Sequence, residues 1–274
     1  MSEKKYEFIK TETRGRVFIV TMARPQVMNA LHPPASYEMA EAWDRFEADP
    51  ELWVGIITGE GERAFCAGND LKYTAAGGEF TAAPSGFGGL TNRLDCNKPV
   101  IGAINGPAVG IGATMTLAMD FRLASEKARI GFVFNKLGIV PEACSSWFLP
   151  RIVGISQALE WTYMADILSP EEALRGGLLK AVYKPEELLA EARALAHRII
   201  DGRSPVAIAL TRQMMYRNAA QPHPLEAHKI DSLAMFYTSI GDGVEGVSAF
   251  LEKRSPDFKS RTSTDMPPFV PWQR

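Results

Sequence analysis

The chain has 274 residues, 46% apolar and 23% charged, a balance that fits one large water-soluble domain or one domain with an appendage. A formal net charge of −2 lends no support to nucleic-acid binding. There is no apolar run of the ~18 residues a membrane span needs and no apolar stretch behind Met1, so a cytoplasmic protein without a membrane partner is expected. Three cysteines without CxxC spacing and four histidines without HExxH spacing indicate neither a disulfide framework nor a metal site.

Taken in order, residues 6–12 and 17–22 are β-favouring runs around Arg14-Gly15-Arg16, a hairpin pattern. Pro25 breaks the next stretch. A helix is predicted over 34–48, where Met39, Trp43 and Phe46 recur on one face. Residues 53–58 read as a short buried strand ending at Gly59-Glu60-Gly61. In Ala67-Gly68-Asn69-Asp70, small residues permit close approach to a ligand, and Asn69 or Asp70 can cap a helix. Residues 75–89 are rich in Gly, Ala, Pro and Ser and read as a mobile surface loop, either a plain connection or one that shapes a pocket. Ser169-Pro170-Glu171-Glu172 starts a helix that Gly176-Gly177 ends. Helices follow over 186–200, 204–218, 225–240 and 243–253. The fold class is α/β, strands and helices alternating to about residue 183 and helices alone thereafter.

The chemistry points to residues 99–149. An apolar strand, 99–104, leads through Asn105-Gly106-Pro107 into Gly110-Ile111-Gly112 and a helical run over 113–119. The unpaired N–H groups at such a helix start suit an oxygen that becomes negative. The loop lacks the Lys-Ser/Thr of a P-loop and the third glycine of a dinucleotide fingerprint. No GxSxG elbow is present. Glu142 stands among small and apolar residues, Val140-Pro141 before it and Ala143 to Phe148 after it. It reads either as a helix-capping acid or as a desolvated general base with a raised pKa.

These residues resemble the enoyl-CoA hydratase/isomerase, or crotonase, family over nearly the whole chain. The match rests on Asn29-Ala30-Leu31, on Ala64-Phe65-Cys66-Ala67-Gly68-Asn69-Asp70, on Lys98-Pro99 through Gly110, and on Asp120. The resemblance implies a spiral of ββα units over 1–200 and a C-terminal helical region over 201–274 that builds homotrimers or hexamers. It implies an acyl-CoA thioester as substrate, with no cofactor beyond that coenzyme A, and an oxyanion hole made of the backbone N–H groups of Ala67 and Ile111. Coenzyme A contacts would fall at Met28, Ala30, Ala67, Asn69, Asp70 and Leu71, with Phe250 and Lys253 reaching its phosphates unless they are plain helix surface. Phe132, Phe134 and Trp147 would shape the acyl pocket.

Typical hydratases carry two glutamates, where this chain has Thr114 and Phe134, and glycine where it has Glu142. An acid at that place resembles the Δ3,Δ2-enoyl-CoA isomerases, and one carboxylate is enough to move a proton from C2 to C4. The expected function is therefore isomerisation with Glu142 as proton shuttle. The alternatives are a hydratase, or other chemistry of the family, that uses Glu142 alone, and a non-catalytic acyl-CoA- or RNA-binding member.

Overall fold

The computed structural model describes residues 4–78, 81–93 and 95–269. Strand β1 (Ile9–Arg14) turns at Gly15, φ +58°, into antiparallel β2 (Val17–Met22). Helix α1 (Pro33–Ala48) follows. His32 Nδ1 caps its start by accepting from the N–H of Ala35. At its other end the buried Lys98 ammonium donates to the carbonyls of Phe46 and Asp49, both at 2.6 Å. Then come β3 (Val54–Gly59), the short α2 (Leu71–Ala75), β4 (Val100–Ile104), β5 (Ala108–Val109) and α3 (Ile111–Thr114). The predicted helical run at 113–119 splits: α3 starts two residues earlier and passes into a 3-10 turn, Met115–Ala118.

Beyond these lie β6 (Phe121–Ser125), β7 (Ile130–Gly131), α4 (Ser145–Val153), α5 (Ile155–Met164), β8 (Ile167–Leu168), α6 (Pro170–Arg175) and β9 (Ala181–Tyr183). Four helices close the chain: α7 (Leu188–Ile200), α8 (Pro205–Asn218), α9 (Pro224–Ile240) and α10 (Asp242–Glu252).

The larger sheet runs β1-β2-β3-β4-β6-β9, parallel beyond the first pair; the smaller runs β5-β7-β8. Alternation along β2 assigns the two faces of the larger sheet. Phe18, Val20 and Met22 pack with Trp43 and Phe46 of α1, whereas Val17 and Ile19 join Ile56, Ile101 and Leu123 against Leu188, Ala192 and Leu195 of α7. Both faces are covered, which is why the inner strands β2, β3 and β4 are almost wholly apolar.

Two expectations change. The segment 75–89 is not all surface loop, and residues 79–80 of it lie outside the described residues. Gly88, Gly89, Leu90 and Thr91 are buried, and Trp43 donates its indole N–H to the Gly88 carbonyl at 3.0 Å. Gly89 has φ +70°, and a Cβ there would stand 2.7 Å from the Ala40 backbone, so its small size lets this segment lie against α1. Second, the region from residue 201 is helical as expected, but α8 is tied firmly to the core. Arg212 Nε donates to Asp120 at 2.9 Å, and Arg212 Nη1 and Gln213 Nε2 both donate to the Cys96 carbonyl. The separate apolar cluster of Val206, Leu210 and Ala234 joins α8 to α9.

Candidate active site

The frame of the site is built from polar motif residues whose bonding is complete. Asn29, buried and at φ +55°, accepts from the N–H of Arg24 and donates to the carbonyls of Glu60 and Ala64. Asn105 accepts from the N–H of Gly59 and donates to the carbonyls of Gly59 and Gly61. Asp70 caps α2 through the N–H of Tyr73 and takes Arg24 Nη2 at 2.8 Å. Burial works against the Asp70 carboxylate, but the Arg24 guanidinium and the Tyr73 N–H outweigh it and hold its pKa below the usual range.

Between these anchors, residues 66–70 run beside both the 28–31 loop and β5. Cys66 bridges to Ala108, its N–H on Pro107 O and its carbonyl accepting from Val109. The next N–H turns the other way: Ala67 donates to the Met28 carbonyl at 3.0 Å. Ala67 was expected to offer that N–H to an oxyanion, and here it is already bonded to Met28. Leu31 then pairs with Gly68 O and Asp70 N–H, so the backbone N–H of Asn69 faces the side on which residues 108–111 lie. Gly112 brings α3 in close: a Cβ on it would stand 2.0 Å from Cys66 O, and one on Gly68 would stand 3.9 Å from Ile111 N. The Ile111 N–H opens α3. The Ile111 and Asn69 N–H groups thus face the same gap, while the Ala67 N–H is bonded to Met28.

Glu142 faces α3. Pro141 precedes it, and Ala143 and Cys144 follow in the left-handed region, φ +58° and +56°, closing a turn in which the N–H of Ser145 reaches the Glu142 carbonyl at 3.0 Å. Two successive non-glycine residues at positive φ store strain of the kind that concentrates at working sites. Glu142 Oε1 accepts from Thr114 Oγ1 at 2.5 Å, while Oε2 is buried and, among the described residues, has no partner. Burial raises the Glu142 pKa and the Thr114 hydroxyl opposes it; among the described residues no charged group contributes. Glu142 does not cap α4, whose N-cap residue is Cys144. Phe134, at the second hydratase position, is a buried phenyl.

The remaining expected residues divide. Met28, at φ +56°, and Ala30 lie in the 24–31 loop beside Ala67, Asn69 and Asp70, whereas the Leu71 side chain stands 65% exposed at the start of α2. Phe250 and Lys253 are not brought to this cluster: α10 packs on α9, and Phe250 is 81% exposed. Trp147 lines a cavity of about 560 Å³ together with Leu90, Cys144, Phe148 and Tyr216. The same cavity is walled by Ala118, four residues after Thr114, and by Cys144, two after Glu142, while neither Thr114 nor Glu142 lines it. Phe132 instead stacks on Trp161 in the core and touches a smaller cavity of about 200 Å³, and the buried Phe134 lines neither of these two. Arg24 and Tyr216 were not anticipated, because their partners Asp70 and Asp120 lie far off in sequence.

Comparison with known proteins shows the family. The family model for enoyl-CoA hydratase/isomerase matches residues 12–261. A carnitinyl-CoA dehydratase of Proteus mirabilis is 39% identical over 258 residues, covering 91% of this chain and 97% of its own. One of Salmonella typhi is 38% identical over 263 residues, covering 93% and 99%. Among solved structures, an enoyl-CoA hydratase from Mycobacterium tuberculosis superposes with a TM-score of 0.84 at 32% identity, covering 92% of this chain and 98% of its own. Another, from Mycobacterium marinum, gives 0.85 at 32% identity, covering 94% and 99%. With its two sheets, its glycine-set α3 and a half-buried carboxylate facing it, the chain belongs to the enoyl-CoA hydratase/isomerase family and is an enzyme of the crotonase superfamily.

Proposed function

We propose that this enzyme isomerises a 3-enoyl-CoA thioester to its 2-enoyl form, with Glu142 as the one acid–base group. The observation that carries this is a half-buried carboxylate with one oxygen held by Thr114 and, among the described residues, the other without a partner and no charged neighbour shifting its pKa. Oε2 takes a proton from C2, the C2–H electron pair delocalises through the thioester as a dienolate, and the same oxygen returns the proton at C4 while the double bond settles at C2–C3. The dienolate oxygen lies between the N–H groups of Ile111 and Asn69. Removing one such donor typically slows a reaction about 10²–10³-fold. Burial matters because a base working near neutral pH needs a pKa close to it.

Coenzyme A would lie along Met28, Ala30 and residues 67–70, with the acyl tail entering the cavity beside Cys144 and Trp147. A homotrimer or hexamer fits the exposed Leu233, Phe236, Val244 and Val247 on α9 and α10. In such an assembly Phe250 and Lys253 reach coenzyme A from a neighbouring copy. Light scattering that finds a monomer at micromolar concentration would remove that part.

The names of the relatives favour a second reading, elimination of water from a 3-hydroxyacyl-CoA. There Glu142 would take the C2 proton and pass it to the departing hydroxyl. Glu142→Gln is expected to abolish turnover while coenzyme A thioester binding, read by calorimetry, stays within a few-fold. Normal turnover in that variant would refute both readings.

A further inference from the structure

We propose that Thr114 is the positioning residue of the acid–base step: its hydroxyl pins Glu142 Oε1, so that Oε2 alone exchanges protons with the substrate. This rests on Glu142 being the acid–base group. Thr114 is fully buried on α3, and its Oγ1 lies 2.5 Å from Glu142 Oε1. The same oxygen also sits 3.3 Å from the Gly110 carbonyl and 3.4 Å from the Ile111 carbonyl. A hydroxyl has one proton to give. The short contact to a carboxylate is charge-assisted and about twice as strong as a neutral one, so the proton points at Glu142.

Two further features make this contact more than packing. Thr114 lies one helical turn after Ile111, so the residue that fixes the base rides on the same four-residue helix as one oxyanion donor. The distance between the base and the developing negative charge is thereby set within a single rigid element. Glu142 itself hangs on a turn with two residues at positive φ, where among the described residues nothing else in its bonding fixes the carboxylate. A base on such a turn gains a defined aim only from the Thr114 hydroxyl. The bond also favours the ionised form and so opposes the upward push of burial.

The test pairs Thr114→Val, which keeps shape and loses the donor, with Thr114→Ser, which restores it. Each is read by the pH profile of kcat/KM for 3-hexenoyl-CoA and, independently of turnover, by ¹³C NMR titration of the Glu142 carboxyl. In Thr114→Val the carboxyl is expected to titrate at higher pH than in the wild type. kcat should fall roughly 10–100-fold, the size set by a hydrogen bond to a charged group, with KM little changed. Thr114→Ser is expected to recover both. Should Thr114→Val fold poorly, Thr114→Ala serves with the same two readouts. A wild-type titration and wild-type kcat in the variant lacking the hydroxyl would overturn the inference. Absence of turnover in the wild type would instead overturn the isomerase reading, and the carboxyl titration would still decide the role of Thr114.

Discussion

Two regions of the site treat buried polar side chains in opposite ways. Around residues 24–31, 59–64 and 105, Asn29 and Asn105 spend their amides on backbone groups of neighbouring loops. Around residues 141–145, Glu142 is drawn inward on a strained turn, and one of its oxygens is buried with no partner among the described residues. The first region carries the sequence signature that marks the family, the second departs from the glycine typical of hydratases, and the proposed proton transfer belongs to the second. Hydrogen-bond completeness therefore separates the motif asparagines that build the walls from the carboxylate proposed to work.

The sharpest way to break that contrast is Glu142→Gln. It keeps the Thr114 contact as a hydrogen bond and removes only the proton acceptor, so a loss of kcat of about 10³-fold is expected, within the range of general acid–base catalysis. Gly112→Ala comes next. A methyl group 2.0 Å from Cys66 O must push α3 away from residues 66–69 and separate the two oxyanion donors. The expected result is a drop of about 10²-fold in kcat with a modest change in melting temperature. Near-normal kcat would mean that α3 does not set the oxyanion geometry.

On the structural side, Asn29→Ala leaves the buried carbonyls of Glu60 and Ala64 without their donor and is expected to destabilise the fold by about 2–3 kcal/mol in urea. If instead it spared stability and removed kcat, the assignment of Asn29 to the frame would be wrong. The smallest effect concerns pH. Burial raises the Glu142 pKa in the folded state above its unfolded value. The folded protein therefore holds that proton more tightly. The stability this confers is present below the unfolded pKa and is lost as pH rises through the folded one. Glu142→Gln removes the titration. Its melting temperature should exceed that of the wild type at pH 8 by about 2 °C, with less or no excess at pH 4. Activity runs in the opposite sense, rising with pH as Glu142 ionises.

Much of the fold was legible because its signals are local. Ser169 accepts from the N–H of Glu172 at 3.1 Å as its pattern promised, and Met39, Trp43 and Phe46 are buried on one face of α1. Glu142 stood out because it is a lone acid among small and apolar residues; that it does not cap α4 shows only in the structure. Helices α4 and α5 were not: Pro150 sits inside α4, Gly154 at φ +82° separates it from α5, and both residues read as breaks. The burial of residues 88–91 was hidden because a glycine-rich stretch looks alike whether it is exposed or pressed against a helix. The choice between Ala67 and Asn69 depends on which way successive N–H groups point between two flanking strands, a property of tertiary pairing. Thr114 read as a missing acid; its bond to a residue 28 positions away shows only in three dimensions.

The most direct measurement is the turnover of purified protein on 3-hexenoyl-CoA and on 2-hexenoyl-CoA side by side, with Glu142→Gln as control. The single-carboxylate account expects fast conversion of the 3-enoyl thioester, slow hydration of the 2-enoyl one, and loss of the first activity in the variant. Fast hydration of 2-hexenoyl-CoA with little isomerisation would contradict it.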